Sequence, residues 1–290
     1  MVKAIQFKTP GGPEVLEMTD IDLAAPAAGE ITVRHTAIGL NFIDTYHRTG
    51  LYPLPLPAGI GMEGAGVVEA VGSAVSDLKV GDRVAYASPP PGSYAEARNI
   101  AADRVVKIPD GVEDQTAAAM MLKGMTAQYL IRQIYKVGKG DTILIHAAAG
   151  GVGQIVCQWA NHLGATVIGT VGSKEKAEIA KANGCHHPVL YNDEDFVERV
   201  VSFGQAAGPI PPVNLGVFAQ KGSLFFTRPT LFNYISTAED LRATAGDLFD
   251  AVSSGAVKIH IDQTFPLAEA RAAHEALEAR KTTGSTILIP

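Results

Sequence analysis

The clearest candidate for chemistry in this chain is a run of small residues, His146–Gly153, which reads HAAAGGVG. It resembles G-x-G-x-x-G, with Ala148, Gly150 and Gly153 in the three small-residue positions. That pattern provides a tight turn, a residue without a side chain where a diphosphate approaches, and a close contact between helix and strand. An apolar strand is predicted before the run, and a helix over Gln154–Leu163 after it would direct free N–H groups at the diphosphate. We therefore predict a dinucleotide cradle, the alternative being a turn that serves packing alone.

The end of the next predicted strand, Thr166–Thr170, indicates which dinucleotide is bound. Proteins that bind NAD place an acidic residue about 20 residues after the glycine turn, where it holds the ribose 2′-hydroxyl. Here the segment Val171–Lys176 has no carboxylate at the strand end and supplies a glycine, a hydroxyl and two lysines instead. These groups would meet a 2′-phosphate with donors and cations, which favours NADPH. The alternative is that the lysines are a solvated first helical turn, although lysine is slightly unfavourable there because of the helix dipole.

The composition limits the possible partners. The net charge is −6 and no lysine–arginine cluster occurs, which argues against nucleic acid and anionic membranes. The 2 cysteines, Cys157 and Cys185, are too few for a disulfide framework or a cysteine-rich zinc site, which favours a reducing cytoplasm. The N-terminus is typical of a first strand rather than a signal peptide, and no apolar run approaches the ~18 residues of a membrane span.

The pattern of elements changes along the chain. Residues 1 to about 110 are rich in short β-prone runs separated by glycine, proline and aspartate turns. From residue 115 the apolar residues have helical spacing, and a strand–helix–strand pattern follows. A length of 290 residues suggests two domains at roughly 100–200 residues each. The other predicted elements are helices over Gln115–Tyr135, Lys174–Asn183, Ala238–Ser253 and Leu267–Arg280, and strands over His187–Tyr191, Gly222–Thr227 and Ser285–Ile289.

Further motifs carry a family resemblance. The segments Gly61–Gly72 and Val80–Val84 resemble the medium-chain dehydrogenase/reductase superfamily. Within it, the match from Lys3 to Pro290 resembles the zinc-free NADPH:quinone oxidoreductases of the zeta-crystallin-like group. The segments that carry this closer resemblance are Asn41–Tyr46, Gly50–Pro53, Ala147–Gly153, Ser202–Gly204 and Thr227–Pro229.

The resemblance implies an α/β fold with two domains and an active site in the cleft between them. A GroES-like β-rich catalytic domain would comprise residues 1–123 and 262–290, and a Rossmann domain with a doubly wound parallel sheet would comprise residues 124–261. Met62 replaces the histidine that ligates zinc in zinc-dependent relatives, and Asn41 stands near the place of the ligand cysteine. Because a thioether and an amide are poor zinc ligands, we expect no metal and disfavour alcohol oxidation.

The resemblance also implies site residues. Asn41, Tyr46 and Tyr52 are candidates for lining a quinone pocket, although Asn41 could hold a turn and the tyrosines could be packed aromatics. We expect His146 to be a core histidine and Cys157 to be buried rather than nucleophilic. NADPH contacts are implied for Asn41, Phe42, Thr126, Tyr129, Gly150, Gly151, Val152, Gly153, Gly172, Ser173, Lys176, Tyr191, Phe203, Gly204, Thr227, Arg228 and Arg280.

The sequence departs from the family after the third Rossmann strand. Phe196–Val200 runs almost directly into Ser202–Gly204, so about one βα unit or more is absent near residues 199–202. In the strand order 3-2-1-4-5-6, the residues after Tyr191 would have to cross two strand positions of about 4.8 Å each. A parallel crossover needs roughly a dozen residues or more. We expect either a sequence joined across an omitted segment or a deletion that disrupts this domain.

Two other functions remain open at this stage. One is an NADPH-dependent reductase of activated double bonds such as alkenals or enones, which would share the cradle and differ in its pocket. The other is a non-catalytic, crystallin-like protein that binds NADPH without turnover. The resemblance further implies a homodimer, for which the apolar segment Ser223–Thr227 would supply a sheet edge.

Overall fold

A computed structural model describes residues 1–193 and 229–290 of the chain. The predicted NADPH contacts Phe203, Gly204, Thr227 and Arg228 lie outside the described residues. So do the predicted junction near residues 199–202 and the predicted edge strand Ser223–Thr227.

The described strands form three sheets: a large, mostly antiparallel one, a small antiparallel one of order β2-β1-β4, and a small parallel one. Their bounds are β1 Val2–Phe7, β2 Glu17–Ile21, β3 Glu30–Leu40, β4 Ala58–Gly59, β5 Glu63–Val71, β6 Arg83–Ala87, β7 Ala97–Ala101, β8 Val106–Lys107, β9 Thr142–Ile145, β10 Thr166–Val171, β11 His187–Leu190, β12 Ile261–Pro266 and β13 Ser285–Ile289.

The large sheet has the order β12-β13-β3-β5-β6-β8, with β7 also paired to β3. β12 and β13 come from the end of the chain, and Thr286 of β13 lies opposite Leu40 of β3. In the antiparallel pair of β3 and β5, Gly39 lies opposite Glu63. The large sheet therefore brings the end of β3, the start of β5 and the C-terminal strands to one place.

The parallel sheet has the order β11-β10-β9, which is the 3-2-1 half of a Rossmann arrangement. Its strands alternate with helices, as parallel crossovers require. Within the described residues β9 is an edge strand, and its apolar residues Ile143, Leu144 and Ile145 are only partly buried.

The helices are α1 Phe42–Arg48, α2 Asp114–Gln128, α3 Gly151–His162, α4 Lys174–Ala182, α5 Leu231–Tyr234, α6 Ala238–Ser253 and α7 Ala270–Glu278. The predicted helix over residues 115–135 is interrupted, because α2 ends at Gln128 and a π-helix follows over Tyr129–Ile134. The predicted helix Leu267–Arg280 begins as a 3-10 turn, Leu267–Glu269, before α7. α1 and β12 have no counterpart in the sequence predictions.

α2 connects the large sheet to the nucleotide-cradle region. It packs on β3, β5 and β6 of the large sheet and on α3 of the nucleotide-cradle region. Its buried residues are mostly alanine and methionine, which permit close approach on several sides. Among the described residues, no helix is both long and apolar enough to cross a membrane.

Candidate active site

The three cradle glycines differ in what their missing side chains leave room for. Gly150 is the N-cap of α3, and a Cβ there would lie 3.1 Å from Ala147 O with little else nearby. Gly153 packs so closely on the strand end that a Cβ would lie 2.7 Å from Ala148 Cα. These contacts fit the predicted roles of an open face at the second position and tight helix–strand packing at the third. At Gly151 a Cβ would meet the side chain of Lys123 instead, 2.6 Å from its Cδ.

The turn into α3 includes a strained residue. Ala147 has a φ of +52°, in the left-handed region that favours glycine. Its carbonyl oxygen accepts a hydrogen bond from Gly150 N at 2.8 Å, and Ala148 N donates to Thr170 O at 3.1 Å. These bonds hold the turn over the end of the parallel sheet, with the first N–H groups of α3 exposed at its N-terminus. Val152, in the first turn of that helix, is partly buried against the core.

Five predicted contacts converge at the ends of β10 and β11. A Cβ on Gly172 would lie 2.6 Å from Tyr191 Oη, so the tyrosine packs against bare backbone. Ser173 is the N-cap of α4, and its Oγ accepts a hydrogen bond from Lys176 N at 3.3 Å. The Lys176 ammonium reaches Arg280 O at 3.4 Å. The Lys176 ammonium and the backbone of Arg280 therefore meet Gly172, Ser173 and Tyr191 at one partly exposed place, which we call the basic corner.

An aromatic ladder lies beside α1. Phe42 and Tyr46 are neighbouring rings on one helix face, 5.6 Å apart and edge-to-face, and Tyr46 and Tyr52 repeat that arrangement at 5.4 Å. Tyr52 N donates to Tyr46 O at 3.1 Å, which fixes the loop to the helix. Phe42 is 43% exposed, so the ladder ends in an open apolar ring. Such an edge offers a flat ligand a surface for stacking.

Asn41, the N-cap of α1, is held by a carboxylate that the sequence analysis did not assign to the site. The Asn41 side chain donates from Nδ2 to Glu63 Oε2 at 2.6 Å. Glu63 Oε1 accepts from Leu122 N at 2.8 Å, and the Lys123 ammonium lies 3.7 Å from Oε2. Burial raises the pKa of Glu63, while Lys123 and the hydrogen bonds oppose that rise. The asparagine thus does more than hold a turn.

A second buried network supports the same helix. Arg48, only 1% exposed, forms an ion pair with Glu278 at 2.6 Å and contacts His274 Nδ1 at 2.9 Å. Tyr94 Oη lies 3.2 Å from His274 Nε2 and donates to Asp44 Oδ2 at 3.0 Å. Burial raises the pKa of Asp44 to about 7. Burial, assisted by the Arg48 charge, lowers the pKa of His274 to about 3.

The remaining predicted site residues are more deeply packed. Tyr129 is buried and stacks on Tyr234 with ring centroids 4.7 Å apart, and burial raises its pKa to about 12. Thr126 donates from Oγ1 to Leu122 O within α2. Cys157 is fully buried, as predicted. His146 is only partly buried, and its Nδ1 pairs with Thr170 Oγ1 at 2.8 Å.

The structure thus places most of the described site residues in two groups, one around the α1 ladder and one around the cradle and basic corner, whereas Thr126 and Tyr129 are packed on and just after α2. Glu63, Lys123 and Asp44 were missed as functional candidates. Two signals were available in the sequence. Asn41-x-x-Asp44 is a helix N-terminal pattern, and Glu63 is a lone charge in a run of small residues. Across residues 1–193 and 229–290, no group of three or more histidine, cysteine, aspartate and glutamate side chains is arranged to hold a metal.

Models of known protein families match three segments of the chain. The alcohol dehydrogenase GroES-like domain family matches residues 27–110. Two zinc-binding dehydrogenase families match residues 151–209 and 193–288.

Individual relatives match over the whole chain. A quinone oxidoreductase of Pseudomonas aeruginosa is 50% identical, with 100% of both chains covered. A 2-haloacrylate reductase of Burkholderia is 41% identical, with 100% of this chain and 99% of the relative covered. The crystal structure of Escherichia coli quinone oxidoreductase complexed with NADPH superposes with a TM-score of 0.96 at 44% identity, covering 99% of this chain and 100% of that one.

The alignment with the Pseudomonas relative also bears on the predicted missing block. It extends over 325 positions, although this chain has 290 residues, so at least 35 positions have no counterpart here. The fold, the site geometry and these full-length matches together show that the chain belongs to the quinone oxidoreductase family of the medium-chain dehydrogenase/reductase superfamily.

Proposed function

We propose that this chain is an NADPH-dependent quinone reductase. The observation that carries the proposal is the pairing of an open cradle at Gly150 with the basic corner of Lys176 and Arg280. The first suits a diphosphate and the second suits an additional phosphate. The name of the Pseudomonas relative and the NADPH complex of the Escherichia coli protein support both parts of the proposal.

The residues present fit NADPH. The α3 N-terminus, with Gly150 and Gly153, would hold the diphosphate, and Ser173, Lys176, Tyr191 and Arg280 would hold the adenosine end. A bound nicotinamide supplies a hydride, and no metal is needed because a quinone is already electrophilic. The other predicted contacts, including Phe203, Gly204, Thr227 and Arg228, remain part of the proposal.

The substrate side of the proposed pocket is formed by α1 and the loop after it. Phe42, Tyr46 and Tyr52 would stack on a flat ring and exclude water from it. Asn41 and the tyrosine hydroxyls would donate hydrogen bonds to the quinone oxygens as negative charge develops on them. We propose catalytic roles for Asn41, Tyr46 and Tyr52 on this basis.

A second candidate function is the reduction of activated carbon–carbon double bonds. The relative named 2-haloacrylate reductase, at 41% identity over the full chain, favours it. Steady-state NADPH oxidation with a panel of quinones and a panel of alkenals and 2-haloacrylates separates the two functions. We expect the higher kcat/KM with quinones, and turnover confined to the double-bond substrates would replace our proposal. NADPH binding without turnover of either panel would indicate the non-catalytic alternative.

We extend the proposal to the domain boundaries, the oligomeric state and the cellular location. Residues 1–123 and 262–290 would form the catalytic domain and residues 124–261 the nucleotide domain. The pairing of β12 and β13 with β3 supports the return of the C-terminal segment to the catalytic domain. We also propose a cytoplasmic homodimer that binds neither nucleic acid nor membrane. The two free cysteines support a reducing compartment, and the acidic net charge argues against nucleic acid and anionic membranes.

A further inference from the structure

Glu63 is a fully buried carboxylate, and both of its oxygens have polar partners. Both of its oxygens accept a short hydrogen bond, one from the Leu122 backbone and one from the Asn41 side chain. Among the described residues, the cation that forms an ion pair with it is Lys123, at 3.7 Å. Gly39, opposite Glu63 in the sheet, makes room for it, because a Cβ there would lie 2.5 Å from Glu63 Cδ. The glycine on the neighbouring strand therefore leaves the space that the Glu63 side chain occupies.

Lys123 joins Glu63 to the nucleotide cradle. Its ammonium donates to Leu40 O at 3.1 Å, immediately before Asn41. Its aliphatic stem lies over Gly151, the first residue of α3, where Gly284 O also approaches. The side chain thus lies where β3, α2, α3 and the segment leading to β13 meet.

The charge of Glu63 determines the orientation of the Asn41 amide. A carboxylate only accepts hydrogen bonds, so the NH₂ end of the amide must face it. The other end of the amide faces Asp44, with which Asn41 forms a capping box at the start of α1, so the second N–H keeps a fixed direction. A buried ion pair is a poor means of gaining stability, because desolvation offsets the attraction. Holding the Asn41 amide in one orientation therefore explains the Glu63–Lys123 pair better than a gain in folding stability does.

We propose that Glu63 and Lys123 are a positioning pair that presents the Asn41 amide to the substrate and couples its orientation to the cradle through Gly151. The coupling to substrate rests on the proposed function, whereas the orientation of the amide does not. Neither residue needs to touch substrate or nicotinamide for this role.

The first test is Glu63→Gln. A glutamine has one side-chain oxygen, so either Asn41 Nδ2 or Leu122 N would face an NH₂ group. We expect kcat for quinone reduction to fall about tenfold or more, as for the loss of a hydrogen bond to a charged group. The Kd for NADPH should stay within about twofold, because the phosphate contacts are unchanged. An unchanged kcat would overturn the proposal.

A double variant separates positioning from stability. Glu63→Gln and Lys123→Met should each lower Tm, because each leaves a buried group without its partner. The double variant removes both charges and should regain most of the lost Tm, while kcat stays low because the amide remains unfixed. Recovery of kcat together with Tm would show that the pair is structural only. Glu69→Gln is the matched control, since it makes the same substitution on the same strand, β5, but breaks only the exposed Arg34–Glu69 ion pair, and it should leave kcat unchanged.

A second readout does not depend on turnover. The Asn41 side-chain amide resonances, assigned by their loss in Asn41→Ser, should be shifted strongly downfield by the 2.6 Å bond to a carboxylate. In nucleotide-free protein, Glu63→Gln should move them toward ordinary amide positions and Glu69→Gln should not. Resonances unaffected by Glu63→Gln would overturn the proposal even in a protein that reduces no quinone. A shift with no quinone turnover in the wild type would instead reject the proposed function alone.

Discussion

The side chain of Lys123 lies across Gly151 so closely that a methyl group on the glycine would stand 2.6 Å from Lys123 Cδ. Gly151 therefore serves a contact with α2, while its neighbour Gly150 keeps the cradle face open. The same short motif thus contains glycines with different functions, and the pattern of letters alone does not separate them.

That difference predicts different effects for two alanine substitutions. Gly150→Ala should place a methyl group in the proposed diphosphate space and raise the Kd for NADPH about tenfold or more, with little change in Tm. Gly151→Ala should displace Lys123 and lower kcat with a smaller change in Kd. Calorimetric titration and steady-state kinetics on both variants give the comparison. Equal effects of the two substitutions on Kd would contradict the assignment.

The basic corner predicts cofactor discrimination. Lys176→Ala and Arg280→Ala should each weaken NADPH binding about tenfold while leaving NADH binding nearly unchanged, because only NADPH carries the 2′-phosphate. The effect should diminish at high salt for these partly exposed charges. Lys181→Ala, which removes an exposed lysine paired with Glu178 on the same helix, is the control. Parallel losses for both nucleotides would argue against a 2′-phosphate site.

The left-handed backbone of Ala147 is a position where glycine should be tolerated or even stabilising. Because its φ is +52°, Ala147→Gly should relieve left-handed strain of about 1 kcal/mol, partly offset by the greater freedom of glycine in the unfolded chain. The expected result is an unchanged or modestly higher midpoint of urea unfolding. Ala149→Gly, at a neighbouring residue outside the positive-φ positions, should only destabilise. A clear loss of stability in Ala147→Gly would show that the methyl group has a packing role instead.

His274 predicts acid sensitivity. Its pKa is lowered to about 3, so below about 6.5 the unfolded chain binds a proton that the folded chain does not. Stability should therefore fall as pH decreases from about 6.5 toward 3. His274→Gln should flatten this part of a urea-unfolding profile. An equally steep profile in the variant would exclude His274 as the cause.

Asp44, in the same buried network, should change folding stability with pH in the opposite direction to His274. Its pKa is raised to about 7, so the folded chain holds a proton that the unfolded chain has lost between about 4 and 7. Its contribution to stability should decrease as pH rises through that range. Asp44→Asn should remove this loss, and a variant profile parallel to the wild type would contradict the raised pKa.

The parts of the fold that sequence could predict are those with strong local signals. α6 and β13 have the predicted bounds, since each is a periodic apolar segment with clear ends. α1 was missed because its seven residues are too few to show periodicity. The π-helix after Gln128 was missed because tertiary packing, rather than propensity, interrupts the helix.

The site residues also separate into those that a local sequence pattern predicts and those that it does not. The cradle could be predicted because its glycines are adjacent in sequence. The contact of Asn41 with Glu63 and Lys123 could not, because it depends on the register of β3 and β5 and on how α2 packs across them. Such long-range contacts leave no local pattern to read.

Calorimetric titration of the purified chain with NADPH and with NADH measures directly whether the cradle and the basic corner bind the cofactor. We expect a single site per chain, with NADPH bound about tenfold or more tightly than NADH. No binding heat with either nucleotide, in protein shown to be folded, would contradict it.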